Sequence, residues 1–446
     1  MRKLALGAFL LAAGPTAAAA QTTLAIRQVA VVDVTGGPTR AGQTVLVSGN
    51  RIVAVGPAAE VRVPAGARVV DASGKYLIPG LWDAHTHLTF VGRGVLGLSL
   101  ANGVTGVRDM GARHFATAKA WRDSIAAGLL LGPRMTIASP VVERPEWLAA
   151  VRRWLQEAGA SDQDLRERFG PTSPEEATRW VDSVAALGAD HVKIRNWSRN
   201  AAITQAILDR ARHHGLPVVG HAGPAAFLPR MASIEHSFFP ILELSGAGRD
   251  SLFRGIAAGG AVVVPTLATW PNRLQPADSI LALLDPARTP TFRYLPAEML
   301  EEWRKELKVR ENETPYDYPA AHRAALRDLR EMRALGIPVL PATDAPSMLL
   351  VSGFSLHDEL ALFVSDVGMT PVEALRSATL APARFLGMAD SLGTVEPGKL
   401  ADLVLLDADP LADIRNTRRV WAVVANGRWL DRPALDRLLA TAEGGR

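Results

Sequence analysis

Through residues 21–80, apolar and polar positions alternate in short runs, "TLAIRQVAVVDV", "QTVLVSGNRIVAVG" and "ARVVDASGKYLIPG", broken by glycine and asparagine. A period of two between turn residues predicts strands, and the Gly49-Asn50 pair predicts a hairpin. Residues 21–80 therefore read as antiparallel sheet. The same texture returns in "GTVEPGKLADLVLLDAD" and "RRVWAVVANGRWL". The two ends, residues 21–80 and 389–446, are expected to pair into one small composite β-sandwich.

Between them the pattern changes. Eight short apolar runs, "LWDAHTHL", "GVTGVRDMG", "RMTIASPVV", "ADHVKIR", "LPVVGHAG", "SIEHSF", "AVVVPTLAT" and "IPVLPATDA", alternate with helical stretches. Several of these runs follow an amphipathic segment closed by glycine, as in "AAITQAILDRARHHGLPVV" and "LRDLREMRALGIPVL", which is the order of repeated βα units. Eight such units over residues 81–388 predict an α/β fold of the (β/α)8 TIM-barrel type. Two connections are long, 141–180 and 270–335, and long connections commonly line or cover a barrel mouth.

Composition narrows the class. With 446 residues, 48% hydrophobic and 21% charged, the chain is globular, and its net charge of +4 is spread without a basic run. No nucleic-acid partner is implied. The opening "MRKLALGAFLLAAGPTAAAA" has a basic start, an apolar core and small residues, the order of an export signal cleaved after Ala20. The expectation is a periplasmic or secreted protein without a stable membrane anchor, acting on a small molecule, with self-association left open. The absence of cysteine excludes disulfides and thiolate ligands, so a metal would fall to His, Asp, Glu or Lys.

The polar residues at the strand ends carry the chemistry. In a parallel barrel strand alternate residues face inward, and those at the C-terminal end face the mouth. His85 and His87 in "LIPGLWDAHTHL" are two apart and share a face; alone, such a pair fits buried, hydrogen-bonded imidazoles as well as metal ligands. Lys193 ends the fourth run, and only seven of the 49 basic residues are lysine. Its amine could be a snorkelling side chain, or one whose pKa burial lowers until it takes up carbon dioxide as a carbamate. His221, His236 and Asp344 close the fifth, sixth and eighth runs. Each has a structural alternative, but six such groups at strand ends are hard to attribute to packing, because unpaired buried polar groups are costly. Arg195, two beyond Lys193, is a candidate anchor for a substrate carboxylate or a solvated loop residue. His191 reads as a core histidine, His213 and His214 as helix-end residues, and His357 and Glu359 as helix caps, with substrate contact the alternative.

The order His-Thr-His, Lys, His, His, Asp, framed by "PGLWDAHTHL" and "GTVEPGKLADLVLLDADPL", resembles the metal-dependent amidohydrolase superfamily. Within it the chain is similar to the imidazolonepropionase-like and prolidase-like (Xaa-Pro dipeptidase-type) group, from about residue 24 to 430. The resemblance implies one divalent ion on His85, His87 and Asp344 and a second on His221 and His236. A carboxylated Lys193 would bridge the two ions, with zinc as the expected metal. It further implies hydrolysis of a C–N bond by hydroxide held between the ions, with Asp344 moving the proton. The substrates implied are dipeptides or N-acyl amino acids, and the alternatives are a cyclic amide of the imidazolone type, a lactone, or deamination by a mononuclear relative. Deaminases on this fold carry glutamate three residues after the fifth-strand histidine, where this chain has Pro224.

Overall fold

The computed structural model describes residues 23–157, 165–236, 244–310, 317–347 and 349–445. The expected signal peptide, residues 1–20, lies outside the described residues. The N-terminal end forms β1 (Thr23–Val31), β2 (Arg40–Ser48), β3 (Arg51–Pro57), β4 (Arg68–Asp71) and β5 (Tyr76–Pro79). The middle supplies β6 (Leu81–Thr86), β7 (Val104–Asp109), β8 (Arg134–Ile137), β9 (Val141–Val142), β10 (Arg168–Phe169), β11 (Val192–Ile194), β12 (Val218–His221), β13 (Ser233–Glu235) and β14 (Val262–Val264). The C-terminal end adds β15 (Leu403–Leu406), β16 (Val420–Ala425) and β17 (Arg428–Leu430).

Strands from both ends share one sheet, in the order β17-β16-β15-β5-β1-β2-β3, with β4 also on β1. Alternation explains why the run "LVLL" is apolar throughout. Leu403, Leu405, Leu77 and Val424 face one cluster of buried side chains, while Val404, Leu406, Ile78 and Val423 face the main core. Both faces are buried, so neither parity can be polar. Gly49-Asn50 joins β2 to β3 as the expected two-residue hairpin, with Ser48 opposite Arg51. The N-terminal strands are not purely antiparallel, however: β4 and β5 run parallel to β1. The register of β1 breaks between Ile26 and Val29, where Gln28 has φ 58°, and its two halves take different partners.

The central strands form two parallel sheets, β6-β7-β8 and β10-β9-β11-β12-β13-β14. Helices alternate with these strands and cover them, giving an α/β fold. The helix Pro174–Leu187 shows the local logic. Ser173 accepts the Glu176 N–H as N-cap, proline opens the first turn, and Gly188 at φ 82° ends it. Parallel bridges continue the pairing from Ala138 to His191, from Val263 to Val339, and from Thr86 to Ala345.

Two expectations are corrected here. The eighth run, "IPVLPATDA", is not a regular strand: Pro338 and Pro341 lack N–H groups, and Pro346 follows. Its contacts are isolated, including Leu340 N–H to Val263 O (2.9 Å), Ala84 N–H to Pro341 O (3.0 Å) and Asp344 N–H to His85 O (2.8 Å). The connection 141–180 is also more than a cover, since it contributes β9 and β10 to the edge of a sheet.

Candidate active site

The site forms at the C-terminal ends of the parallel strands. All of β6 is buried, and His85 and His87 leave it on one face, as their spacing requires. Each ring is held from behind. His85 Nδ1 lies 2.8 Å from Glu235 Oε2, and His87 Nδ1 lies 2.8 Å from the Gly111 carbonyl. Carbonyl and carboxylate oxygens only accept, so Nδ1 carries a proton on both rings, and burial, which keeps His85 neutral, leaves its Nε2 with a lone pair. Both Nε2 atoms turn to one oxygen, Asp344 Oδ1, at 3.3 Å from His85 and 3.2 Å from His87.

His236 approaches from the other side, with Nδ1 3.8 Å from Asp344 Oδ2 and Nε2 2.9 Å from His221 Nε2. Donor atoms of His85, His236 and Asp344 lie within 4.8 Å of one another. That compact trio draws one residue from one expected ion site and two from the other. Lys193 lines the same cavity, of about 400 Å³, as His87, His221, His236, Asp344 and Arg195. The six expected ligands thus meet at one place.

The electrostatics suit a cation. Burial, then the neighbouring Lys193 charge, hold His85 well below the usual imidazole range, and burial lowers His236 to about 4. Burial likewise keeps His221 neutral, assisted by His236 and Lys193. Burial opposes the Asp344 charge, but His236, His87 and His85 around it hold its carboxyl well below the ordinary value. Lys193 is lowered to about 8 by burial, against the attraction of Glu235 and Asp344 and with the help of Arg108 and Arg168. The neutral imidazoles of His85, His221 and His236 therefore converge with the Asp344 carboxylate, and the buried His85 Nε2 has no hydrogen-bond partner. The donor atoms of His85, His236 and Asp344 could together hold a metal ion.

The backbone is bent to make this meeting. Asp344 has φ 59° and His236 φ 22°, both uncommon for non-glycine residues. In a regular strand Glu235 and His236 would point to opposite faces. Here both reach His85, whose ring centroid is 4.5 Å from that of His236. Reading the strand by alternation misses Glu235.

Asp83 also escaped the sequence reading. Its carboxylate accepts Thr343 Oγ1–H (2.6 Å), Thr343 N–H (3.0 Å) and His85 N–H (3.2 Å). It thereby ties the proline-rich eighth segment to β6. The other residues missed are Arg108, Glu143 and Arg168. Glu143 is buried and lies 2.6 Å from Arg195 Nε, while Arg168 donates to it at 3.2 Å and Asn196 at 2.6 Å. Arg195 stacks 4.6 Å from the Trp147 ring, so its partly exposed guanidinium is held against the cavity.

His191 is buried as expected, and His214 sits at a helix end, 2.6 Å from Asp182. His357 and Glu359 are not caps. Gly353 takes that position, and both residues are buried within the helix Phe354–Ser365. His357 bonds Thr417 Oγ1 (3.0 Å) and the Asn102 carbonyl (3.1 Å), while Glu359 accepts the Ala268 N–H (2.6 Å).

A second cavity of about 380 Å³ shares His221, His236 and Asp344 and extends past Thr266, Thr269 and Trp270. A larger one, about 680 Å³, opens at the other end of the strands beside Val218, Ala232 and Val262 and touches none of the six expected ligands.

Imidazoles and a carboxylate converging at the ends of parallel strands give an α/β protein with a site that could hold a metal ion. Residues 76–430 match the amidohydrolase family, and the chain belongs to it, within the imidazolonepropionase-like and prolidase-like group. It is a hydrolase acting on carbon–nitrogen bonds. The imidazolonepropionase of Streptomyces griseus is 28% identical over 384 residues, covering 82% of this chain and 85% of the relative. The adenine deaminase of Rubrobacter xylanophilus is 27% identical over 422 residues, 91% of this chain, which spans only 57% of that protein. A Bifidobacterium longum protein assigned as a prolidase has a crystal structure with TM-score 0.69 and 27% identity, covering 94% of this chain and 99% of its own. A Xaa-Pro dipeptidase crystallised with methionine in its active site has TM-score 0.68 over 92% of this chain and 100% of its own. Its identity is 20%, so that likeness is one of fold.

Proposed function

We propose that the chain is an exported binuclear amidohydrolase that cleaves the amide bond of dipeptides or N-acyl amino acids. The observation that carries the reading is the convergence of the His85 and His87 Nε2 atoms on Asp344 Oδ1, beside His236, His221 and Lys193. His85, His87 and Asp344 would hold one divalent ion and His221 and His236 a second, zinc suiting the donors, with Lys193 bridging as its carbamate. The lowered Lys193 pKa, about 8, leaves a fraction of the amine neutral near pH 7 and able to add carbon dioxide. When bound, such ions polarise a carbonyl and acidify water. The parallel sheets with their linking bridges would be a closed (β/α)8 barrel, residues 81–388, and the sheet shared by both ends the composite sandwich domain, residues 21–80 with 389–446. Export rests on the sequence of residues 1–20 alone.

The chain's own groups divide the work. Asp344, kept ionised, accepts the proton of the attacking water and returns it to the leaving nitrogen. Its Oδ2 accepts the Ser347 hydroxyl at 2.6 Å, which fixes the carboxylate plane. Arg195 supplies a cation for a substrate carboxylate, stacked on Trp147 and set beside Glu143. Cavities on both sides of His221, His236 and Asp344 favour an open-chain substrate with a group on each side of the scissile bond over a small ring. Pro224, where a deaminase on this fold carries glutamate, disfavours deamination.

The test is Lys193→Met beside wild type, with metal stoichiometry and hydrolysis of Xaa-Pro, Xaa-Arg and Xaa-hydrophobic dipeptides and N-acyl amino acids measured together. The folded variant is expected to bind fewer ions and to lose activity by several orders of magnitude, with partial recovery in short carboxylic acids. Undiminished metal and rate would remove the bridging role.

A further inference from the structure

Below the expected ligands lies a buried chain of charged groups that the reaction does not consume. Among the described residues Arg108 is the largest fully buried side chain, and its Nη2 donates to Glu235 Oε1 at 2.6 Å and to Ser233 Oγ at 3.2 Å. The Ser233 hydroxyl also donates to Glu235 Oε1. The Arg108 guanidinium sits 4.9 Å from the Phe385 ring, which closes the cluster from the far side. The other carboxylate oxygen, Oε2, faces His85 Nδ1 at 2.8 Å. Glu235 and the His85 side chain are wholly inaccessible to solvent.

We infer that Glu235, held by Arg108 and Ser233, is a positioning residue that fixes the tautomer and ring angle of His85, so that Nε2 is presented to a divalent ion. The two oxygens of Glu235 have separate duties. Oε1 is saturated by Arg108 and Ser233, so the carboxylate cannot rotate without breaking two hydrogen bonds in a dry interior. Oε2 is then left with one available donor, the His85 Nδ1–H. A guanidinium is charged at every accessible pH, so the anchor does not switch off. A carboxylate behind a ligating imidazole raises its basicity and selects the ligating nitrogen, and removing one typically weakens metal binding ~10–100-fold. His87 lacks this support, since its Nδ1 is bonded to the neutral Gly111 carbonyl. The two histidines of the doublet are therefore unequal, and His85 is the stronger ligand.

The His85 tautomer is a property of the protein without metal, whereas the effect on affinity rests on the reading of His85 as a ligand. The two can fail separately. Histidine-selective nitrogen-15 spectra of metal-free wild type, with His85 assigned through His85→Gln, are expected to show a neutral ring protonated at Nδ1. Glu235→Gln and Glu235→Asp are then compared for zinc dissociation constant by chelator competition and for the same spectrum. Glu235→Gln is expected to mix the tautomers and weaken zinc binding 10–100-fold. Glu235→Asp, which keeps the charge but shortens the reach, should recover part of both. An Nε2-protonated His85 in wild type would overturn the inference even if no variant folds. So would an unchanged zinc constant and spectrum in folded Glu235→Gln. Correct tautomers without zinc binding in wild type would uphold the positioning role and sink the metal reading.

Discussion

Glu359 offers a test in which stability is the readout. Its side chain is fully buried, and Oε2 accepts the Ala268 N–H at 2.6 Å while Oε1 has no partner. Burial, reinforced by nearby Asp83, raises its carboxyl from the ordinary 4.5 to about 8, against the pull of backbone donors including Leu267 and Ala268. Between those two values the folded chain keeps a proton that the unfolded chain releases. The folded state then binds more protons, so stability falls as pH rises, by ~1.4 kcal/mol per unit for this one group. At pH 7 the accumulated penalty is about 3 kcal/mol, and near pH 8 about 5 kcal/mol, at the order-of-magnitude level. Glu359→Gln removes the titration while keeping an oxygen for the Ala268 N–H. Urea unfolding of wild type and variant at matched pH, metal and salt cancels the linkage they share. The curves should meet near pH 4.5 and separate in favour of the variant up to about pH 8. A difference that does not change with pH would show that Glu359 is ionised throughout and refute the reasoning.

Other outcomes follow from single contacts. Arg195→Met is expected to raise KM for substrates with a free carboxylate and to spare their esters or amides; equal effects on both would remove it as the anchor. A Cβ at Gly220, where φ is 152°, would lie 1.9 Å from the Ile194 carbonyl oxygen, backbone that cannot rotate away. Gly220→Ala should therefore cost on the order of 3 kcal/mol and part the strands that carry Lys193 and His221, with a lower melting temperature and fewer bound ions; an unaltered melt would contradict the packing. N-terminal sequencing of protein expressed in a bacterial host should find Gln21 first, and Met1 on the exported fraction would exclude cleavage.

The parts of the site legible in the sequence are those governed by periodicity. His85 and His87 share a face because strands repeat every two residues, and Lys193, His221 and His236 end runs whose apolar character marks them as buried strands. What alternation could not reach depends on departures from it. Glu235 and His236 share the cluster because His236, just past the strand, adopts φ 22°, and nothing in "SIEH" announces that turn. The eighth run looked like the other seven by hydrophobicity, but its prolines leave it too few donors for a ladder. Asp83, Glu143 and Arg108 are legible only through partners far away in sequence, at Thr343, Arg195 and Glu235. The division of six groups between two ions, which spacing alone left open, rests on the family resemblance.

The sheet shared by the chain ends has a consequence for biogenesis. Leu77 and Ile78 of β5 pair with Leu405 and Val404 of β15, and Asn50 bonds Asn426 across 376 positions. The ribosome delivers residues in order, so the first strands made must wait for nearly the last before their edge is covered. Such long-range pairing slows folding, because loop closure precedes its reward. Until β15 has been made, β5 offers an open edge, and it closes only then. A chain truncated before Leu403 would keep all six candidate ligands and still lack the three strands that seal its own beginning.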